Sequence, residues 1–217
     1  MIFPPILYIF ATYNGHTQYY YTMLRNIILF IALLSGITVS AAGKSIMLPQ
    51  EVDNVTFYGV DFSQVNIVGD DAPDSQYLQA FRRINDLFVT EPEKYDIARY
   101  LRTHIARYDF EMVAAVNAAT DLSRARPMQA TLLDKESLAA HISRLPVTGD
   151  GVGLIIIADC LDKTRETGYF HILFFDRATR SVIAQASLSG KARGFGLRNH
   201  WARAMLNSIR SLRVVRP

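Results

Sequence analysis

Apolar residues recur every three or four positions in four stretches of the chain, and this spacing predicts four amphipathic helices. The first begins near Asp74 and the second at Thr90, where Thr90 and Glu93 have the spacing of a capping box. The third begins after Asp134, which can cap it, and ends at Pro146. The last helix has its apolar positions at Trp201, Met205, Ile209 and Leu212.

Runs of β-branched and aromatic residues predict strands. Residues 55–61 predict a first strand, and the continuous apolar run LIIIADC predicts a central strand that is buried on both faces. The runs YFHILFFD and SVIAQASL follow it with turns between them, which indicates a three-stranded antiparallel meander. Residues 109–120 fit either a strand or a helix, and we favour a strand.

The order of these elements predicts an α/β fold. We expect a single-domain sandwich over residues 43–217, with a mixed, largely antiparallel sheet flanked by helices. The chain has 217 residues, half of them apolar, which suits one globular domain with a substantial core. Cys160 is the only cysteine, so the chain cannot form an internal disulfide framework or a cysteine-built metal site. We therefore expect packing to supply the stability, and we predict no cofactor and no metal.

The segment 23–42 has the order of regions that is typical of a secretory signal peptide. Arg25 is its one cation, the apolar stretch 27–34 follows, and small residues end it near Ala41. About a dozen apolar residues are too few to span a bilayer comfortably, although one long uncleaved anchor is the alternative. Residues 1–22 are unpatterned, and we interpret them as an extension from a mis-called upstream start. The expected location is secreted or periplasmic, with no stable transmembrane span after cleavage.

Charge is distributed unevenly along the chain. The whole chain has 23 Lys and Arg and 20 Asp and Glu, but all the acids precede residue 177. The excess of cations after residue 176 implies one of two things. Either the C-terminal segment has an anionic partner, or its cations form ion pairs within the molecule, for example with Asp70, Asp71 and Asp74. Export argues against nucleic acid as that partner. The cations of the acid-free segment are Arg177, Arg180, Lys191, Arg193, Arg198, Arg203, Arg210, Arg213 and Arg216.

The sequence GKARGFG joins the last predicted strand to the last helix and has two interpretations. The N–H groups of a helix start can hold an anion with the help of nearby cations, which would make the loop a binding site. In the structural interpretation, Gly194 and Gly196 supply backbone angles that other residues avoid. Asn199 then caps the helix, and Phe195 and Trp201 pin the loop to the core. The glycine spacing matches no nucleotide-binding motif. The predicted binding residues are Lys191, Arg193, Gly194, Phe195, Gly196, Arg198, Asn199 and Arg203.

A competing hypothesis makes the protein a small exported hydrolase. If the hairpin after LIIIADC turns near Thr164, Cys160 lies opposite Tyr169, and His171 is its diagonal neighbour on the same face. An imidazole beside a thiol can activate a cysteine nucleophile, although a lone cysteine at the end of an apolar strand is more often a core residue. Aspartates offer a second hydrolase or cation site, but in predicted turns they commonly act as caps. These aspartates are Asp70, Asp71, Asp74, Asp159 and Asp162.

Three segments of the chain resemble a family of secreted proteins from Bacteroidetes-type bacteria to which no activity is assigned. They are VTFYGVDFSQV, FRRINDLFVTEPEKYDI and the long stretch from GVGLIII to GFGLRNHWA, and the likeness covers most of residues 52–212. Its most specific parts are GFGLRNHWA and FFDRATRSV. More distantly, the order of elements is similar to the N-terminal α/β domain of TolB and to envelope lipoproteins of the curli-secretion type, but the lipid-anchor cysteine of those lipoproteins is missing.

The resemblance implies an extracytoplasmic, envelope-associated binding or assembly protein that performs no chemistry. Its expected partner is an anionic envelope component or a protein, and its expected contact surface is the basic C-terminal segment. A small exported hydrolase that uses Cys160 with His171, or the aspartates, is the alternative.

Overall fold

A mixed six-stranded sheet forms the centre of the fold in a computed structural model that describes residues 44–50, 52 and 54–217. The order across this sheet is β4-β2-β5-β6-β7, and β3 also pairs with β5. The two remaining strands, β1 and β8, form a separate parallel pair. The described strands are β1 (Ser45–Met47), β2 (Val55–Asp61), β3 (Asn66–Val68), β4 (Ile105–Tyr108), β5 (Val152–Asp162), β6 (Thr167–Asp176), β7 (Val182–Lys191) and β8 (Arg213–Val215).

The central strand and the C-terminal meander confirm the predicted α/β class. Every residue of β5 after Val152 is buried, because apolar layers cover both faces of the sheet. β5, β6 and β7 pair antiparallel in sequence order, as predicted. β2 instead pairs in parallel with both β4 and β5, which makes the sheet mixed.

Helices lie between the strands, and three of the four predicted helices are confirmed. The first, third and last predictions correspond to α1, α5 and α6. The cap of α5 is also as predicted, since the side chain of Asp134 accepts a hydrogen bond from the backbone N–H of Ser137 at 2.8 Å. The described helices are α1 (Asp74–Asn85), α2 (Leu87–Thr90), α3 (Ile97–Leu101), α4 (Glu111–Ala118), a 3-10 turn (Leu122–Arg124), α5 (Lys135–Arg144) and α6 (Leu197–Arg210).

Two sequence predictions of local structure are wrong. Residues 109–120 contain the helix α4 rather than a strand, because their alanine-rich stretch favours a helix and places Val113 and Asn117 on one buried side. Thr90 does not open a helix but ends α2, where its hydroxyl donates to the carbonyl of Asp86. The next helix begins later, after Asp96, whose side chain accepts from a backbone N–H in its first turn.

The two faces of the sheet are covered to different extents. The larger apolar cluster includes Tyr77 and Phe81 of α1 and Trp201 of α6, all fully buried. The smaller cluster includes Leu138 and Ile142 of α5. In β7 the residues Ala186, Leu188 and Gly190 are buried. The β7 residues that alternate with them face the second cluster and are half-buried or exposed. The layer containing α4 and α5 therefore leaves one face of β7 open to solvent.

Residues Gly43–Pro217 form one compact body. Within the described ranges, no helix combines the length and the apolar character that a membrane crossing requires. The predicted signal peptide over residues 23–42 and the predicted extension over residues 1–22 lie outside the described residues.

Candidate functional site

The loop of residues 192–196 connects β7 to α6 and contains the two glycines that the sequence singled out. Gly194 has φ 115° and Gly196 has φ 77°. Side chains rarely adopt these angles, so glycine is required at both positions, as predicted. At Gly190 an added Cβ would collide with the backbone of Ala204, which means that α6 packs directly on β7 and fixes both ends of the loop.

Two details of the structural interpretation of this loop are wrong. Phe195 does not pin the loop to the core, since it is 96% exposed, whereas Trp201 is fully buried. Asn199 is not the N-cap, because α6 begins after Gly196 and Asn199 lies within its first turn. Its side chain instead donates to the carbonyl of Phe195 at 3.2 Å and accepts from the guanidinium of Arg198.

A buried histidine lies at the base of the loop. His200 Nε2 is 3.3 Å from the ammonium of Lys163, and its ring packs edge-on against Trp201. Burial lowers the pKa of His200, and the nearby charge of Lys163 lowers it further. A neutral imidazole accepts from the ammonium through Nε2, so His200 anchors the first turn of α6 and holds a cation beside it.

Four of the predicted binding residues, Lys191, Arg193, Gly194 and Arg203, line one pocket of about 510 Å³. The three cations are exposed. Asn207, the fifth lining residue, donates to the carbonyl of Lys191 at 2.9 Å and was missed by the sequence analysis. It lies one helical turn after Arg203, and that spacing is the signal that could have found it. We refer to Lys191, Arg193, Arg203 and the neighbouring Phe195 as the basic loop surface.

Lys191 has hydrogen bonds that hold it in place without neutralising it. Its ammonium donates to the carbonyl of Arg165 at 3.0 Å and to the hydroxyl of Thr167 at 3.1 Å. Arg193 and Arg203 form no hydrogen bond or ion pair through their side chains within the described ranges. Arg198 lies outside the pocket lining and approaches Glu91 at 3.7 Å.

The acid-free C-terminal segment stays largely unneutralised within the described part of the chain. Arg198 is the one of its nine cations that forms an ion pair there. Arg210 donates to the hydroxyl of Tyr100, and Arg177 and Arg216 donate to neutral oxygens. The alternative in which Asp70, Asp71 and Asp74 neutralise this segment is wrong, because Asp74 pairs with Arg126 at 2.6 Å and the side chain of Asp70 accepts from a backbone N–H.

Cys160 lies opposite Tyr169, as predicted, but it does not pair with His171. The two ring nitrogens of His171 contact Asp159 at 2.7 Å and Ser187 at 2.9 Å, so neither remains for the thiol. Burial, reinforced by nearby carboxylates, raises the pKa of Cys160 to about 12. The predicted Cys160–His171 nucleophile therefore lacks both a base and an ionised thiol.

The predicted aspartate sites do not form a metal centre. Asp162 caps the turn after β5, where its side chain accepts from Thr164 and Arg165. Asp159 is paired with His171, and Asp61 with His141, each at 2.7 Å. Across residues 44–50, 52 and 54–217, no group of three or more His, Cys, Asp or Glu side chains could hold a metal ion.

No protein-family model, no curated protein and no solved structure matches this chain. The resemblance to secreted envelope proteins therefore stays a prediction from sequence, and the geometry of the described residues is the basis of the proposals that follow.

Proposed function

We propose that this protein is an extracytoplasmic, envelope-associated binding protein that holds an acidic segment of a partner protein on the basic loop surface. The observation that carries the proposal is that Lys191, Arg193 and Arg203 line one pocket and form no ion pair within the described residues. Binding at this surface requires no covalent chemistry.

The three cations around the pocket repel one another. Like charges around one pocket raise its positive potential, and a bound anion lowers it. The guanidinium groups of Arg193 and Arg203 can each take a carboxylate through two parallel N–H donors. Lys191 is already oriented by its bonds to Arg165 and Thr167, so less side-chain entropy is lost when the partner binds.

Phe195 indicates that the partner carries apolar as well as acidic side chains. It is 96% exposed between two glycines, while its carbonyl is held by the side chain of Asn199. Burial of one phenylalanine side chain contributes about 1.5–3 kcal/mol. A protein segment with an apolar residue beside its acidic residues would gain this burial free energy when it binds. A simple inorganic anion would not gain it.

The proposed location depends on the sequence rather than on the described residues. Segment 23–42 has the order of a signal peptide, and the resemblance to envelope proteins suggests where the exported chain acts.

Charge reversal of the pocket tests this function. The probe is a fluorescein-labelled peptide with four glutamates around one leucine, titrated with the purified chain while fluorescence anisotropy is recorded. We expect salt-dependent binding, and we expect R193E/R203E to weaken it at least about tenfold, or ~1.4 kcal/mol. The matched control is R82E/R213E, which makes the same change of charge at exposed arginines away from the pocket lining.

Two outcomes would overturn the proposal. Equal weakening by both double variants would show a response to net charge alone, and binding that R193E/R203E leaves intact would remove the pocket from the function. A third measurement tests the class of partner. Sedimentation with vesicles of phosphatidylglycerol and phosphatidylcholine, without peptide binding, would replace the acidic protein segment by a lipid surface.

A further inference from the structure

A hydrogen-bonded chain of three side chains crosses three neighbouring strands on the face of the sheet that α4 and α5 cover in part. Asp159 on β5 contacts His171 Nε2 at 2.7 Å, and His171 Nδ1 on β6 contacts the hydroxyl of Ser187 on β7 at 2.9 Å. Asp159 is fully buried and His171 is 3% exposed, whereas Ser187 is exposed. A buried carboxylate is therefore linked through an imidazole to a hydroxyl that solvent can reach.

The direction of these hydrogen bonds follows from the carboxylate. An ionised Asp159 can only accept, so Nε2 of His171 carries the proton and donates it. In the neutral ring Nδ1 then keeps its lone pair and accepts from the O–H of Ser187. A base that is held by a third group and contacts a hydroxyl is the arrangement that activates a serine nucleophile.

The backbone places these three side chains together. His171 and Ser187 are directly opposite each other in the β6–β7 register. Asp159 reaches His171 because the β5–β6 register shifts between Ala158 and Cys160. Such bulges re-aim side chains and are frequent beside active sites.

Asp159 carries a second sign of a functional site. Its Oδ2 accepts from the backbone N–H of Leu133 at 2.9 Å as well as from His171. Its Oδ1 is buried and has no hydrogen-bond partner among the described residues. An unsatisfied buried acceptor costs about 1–3 kcal/mol, and Oδ1 keeps its capacity to accept a further hydrogen bond.

A cation contacts Ser189, a neighbour of Ser187 on β7, and a cavity borders Tyr169 on the adjacent strand. The ammonium of Lys44 contacts the carbonyl and the hydroxyl of Ser189, each at 2.7 Å. Ser189 lies two residues after Ser187 on the same face of β7, so Lys44 contributes a positive charge on the side of the strand that carries Ser187. Tyr169, opposite Ser189, borders a cavity of about 380 Å³ that also has apolar lining, although Ser187 itself does not line it.

We propose that Ser187 is a nucleophile with His171 as its base and Asp159 as the positioning residue, and that the site takes small carboxylic esters. The hydroxyl oxygen of Ser187 attacks the ester carbonyl while its proton passes to Nδ1 of His171. The bond between the carbonyl carbon and the alcohol oxygen then breaks, and the alcohol leaves with that proton. Water attacks the acyl-serine, gives its proton to His171, and releases the acid as the proton returns to Ser187.

Covalent labelling of the full chain tests this site. The probe is a fluorophosphonate, whose fluoride the serine oxygen displaces, and intact-mass and peptide mass spectrometry locate the adduct. We expect one adduct at Ser187, its loss to below ~1% in S187A, and hydrolysis of 4-nitrophenyl acetate that S187A also lacks. S181A, at an exposed serine just before β7, is the matched control and should label like the wild type.

The test of Asp159 must measure a property that the loss of a purely structural residue would leave unchanged. In D159N the amide can donate to Nε2, which moves the ring proton to Nδ1 and removes the base that faces Ser187. We expect ¹⁵N chemical shifts to show the Nε2–H tautomer of His171 in the wild type and the Nδ1–H tautomer in D159N. Labelling should slow at least about tenfold in D159N.

The proposal is overturned if the folded wild-type chain gives no adduct at Ser187, or if S187A leaves labelling and ester hydrolysis unchanged. Because Ser187 is exposed, S187A should fold, and a matching circular dichroism spectrum checks this. R193E/R203E should label normally, so a failure of the binding proposal is distinguishable from a failure of this one.

Discussion

The two buried Asp–His pairs of the described chain have the same length but join different parts of the fold. Asp61 of β2 contacts His141 of α5 at 2.7 Å, so this pair attaches a helix to the sheet. Asp159 and His171 belong to β5 and β6, which a long antiparallel ladder already joins. The second pair is therefore not needed to hold its two strands together, whereas the first links elements that lack a shared backbone ladder.

The pairs also differ in what lies beyond the imidazole. His141 forms no second side-chain hydrogen bond within the described ranges, while His171 continues to the exposed hydroxyl of Ser187. A pair that stabilises packing can end inside the protein, but a pair that acts on a substrate must reach a group at the surface. This difference assigns a structural role to Asp61–His141 and supports a chemical role for Asp159–His171.

Cys160 follows Asp159 in the chain and is the other nucleophile beside it. Its pKa of about 12, against an ordinary value of 9.0, leaves roughly a thousandth of the usual thiolate at pH 8. We expect the thiol to react with Ellman's reagent about a thousandfold more slowly in the folded chain than after unfolding in guanidinium. Rapid reaction of the folded chain would return Cys160 to the list of nucleophiles.

Removal of each imidazole tests the structural half of the comparison. H141A leaves the carboxylate of Asp61 buried and removes its contact with α5, so we expect a loss of about 3–5 kcal/mol in the free energy of unfolding. H171A leaves the β5–β6 ladder and the hydrogen bond from the backbone of Leu133 to Asp159 intact, so we expect a smaller loss of about 1–3 kcal/mol. Guanidinium denaturation of both variants measures the difference.

An equal or reversed order of these two losses would contradict the comparison. H104A is a suitable control, because His104 is exposed and its side chain contacts that of Asn54 at the surface. We expect its effect to stay within about 0.5 kcal/mol.

The sequence predicted the sheet better than the helices that cover it. The apolar run of β5 and the turns after it define the meander, since strand pairing between neighbours in sequence follows directly from the turn positions. Residues 109–120 were ambiguous, because alanine and valine are compatible with both structures over so short a segment. The helix there is stabilised by a long-range contact, in which Asn117 bonds to the backbone of Phe62 and Val60.

The candidate sites were predictable only where they are local in sequence. Lys191, Arg193 and Arg203 lie within thirteen residues and were found, but the exposure of Phe195 depends on how far the core extends, which no local pattern reports. The chain Asp159–His171–Ser187 depends on a bulge that shifts Asp159 toward His171. A regular register would make Cys160 the diagonal neighbour of His171, so the sequence pattern indicated the thiol as its partner.

His200 is a third buried histidine, and it differs from His141 and His171 because its neighbour is the ammonium of Lys163 rather than a carboxylate. Burial, together with Lys163, lowers its pKa, so the unfolded chain takes up this proton more readily than the folded chain. Its contribution to stability is fully present above the unfolded value of about 6.5 and is lost as the pH falls through and below it.

We therefore expect wild-type stability to fall more steeply than that of H200Q between pH 8 and pH 5. Guanidinium denaturation at several pH values measures the two slopes. Parallel curves for the two proteins would show that His200 does not contribute to the pH dependence.

The smallest expected effect is the stability change in S187A, and it separates a chemical from a structural role of the three-residue chain. Ser187 is exposed, so water can replace its hydroxyl as the partner of His171 Nδ1. We expect the free energy of unfolding to change by at most about 0.5 kcal/mol, close to the change in S181A. A loss above ~1.5 kcal/mol in S187A would show that the serine mainly stabilises the fold, because a nucleophile at the surface has no such structural contribution.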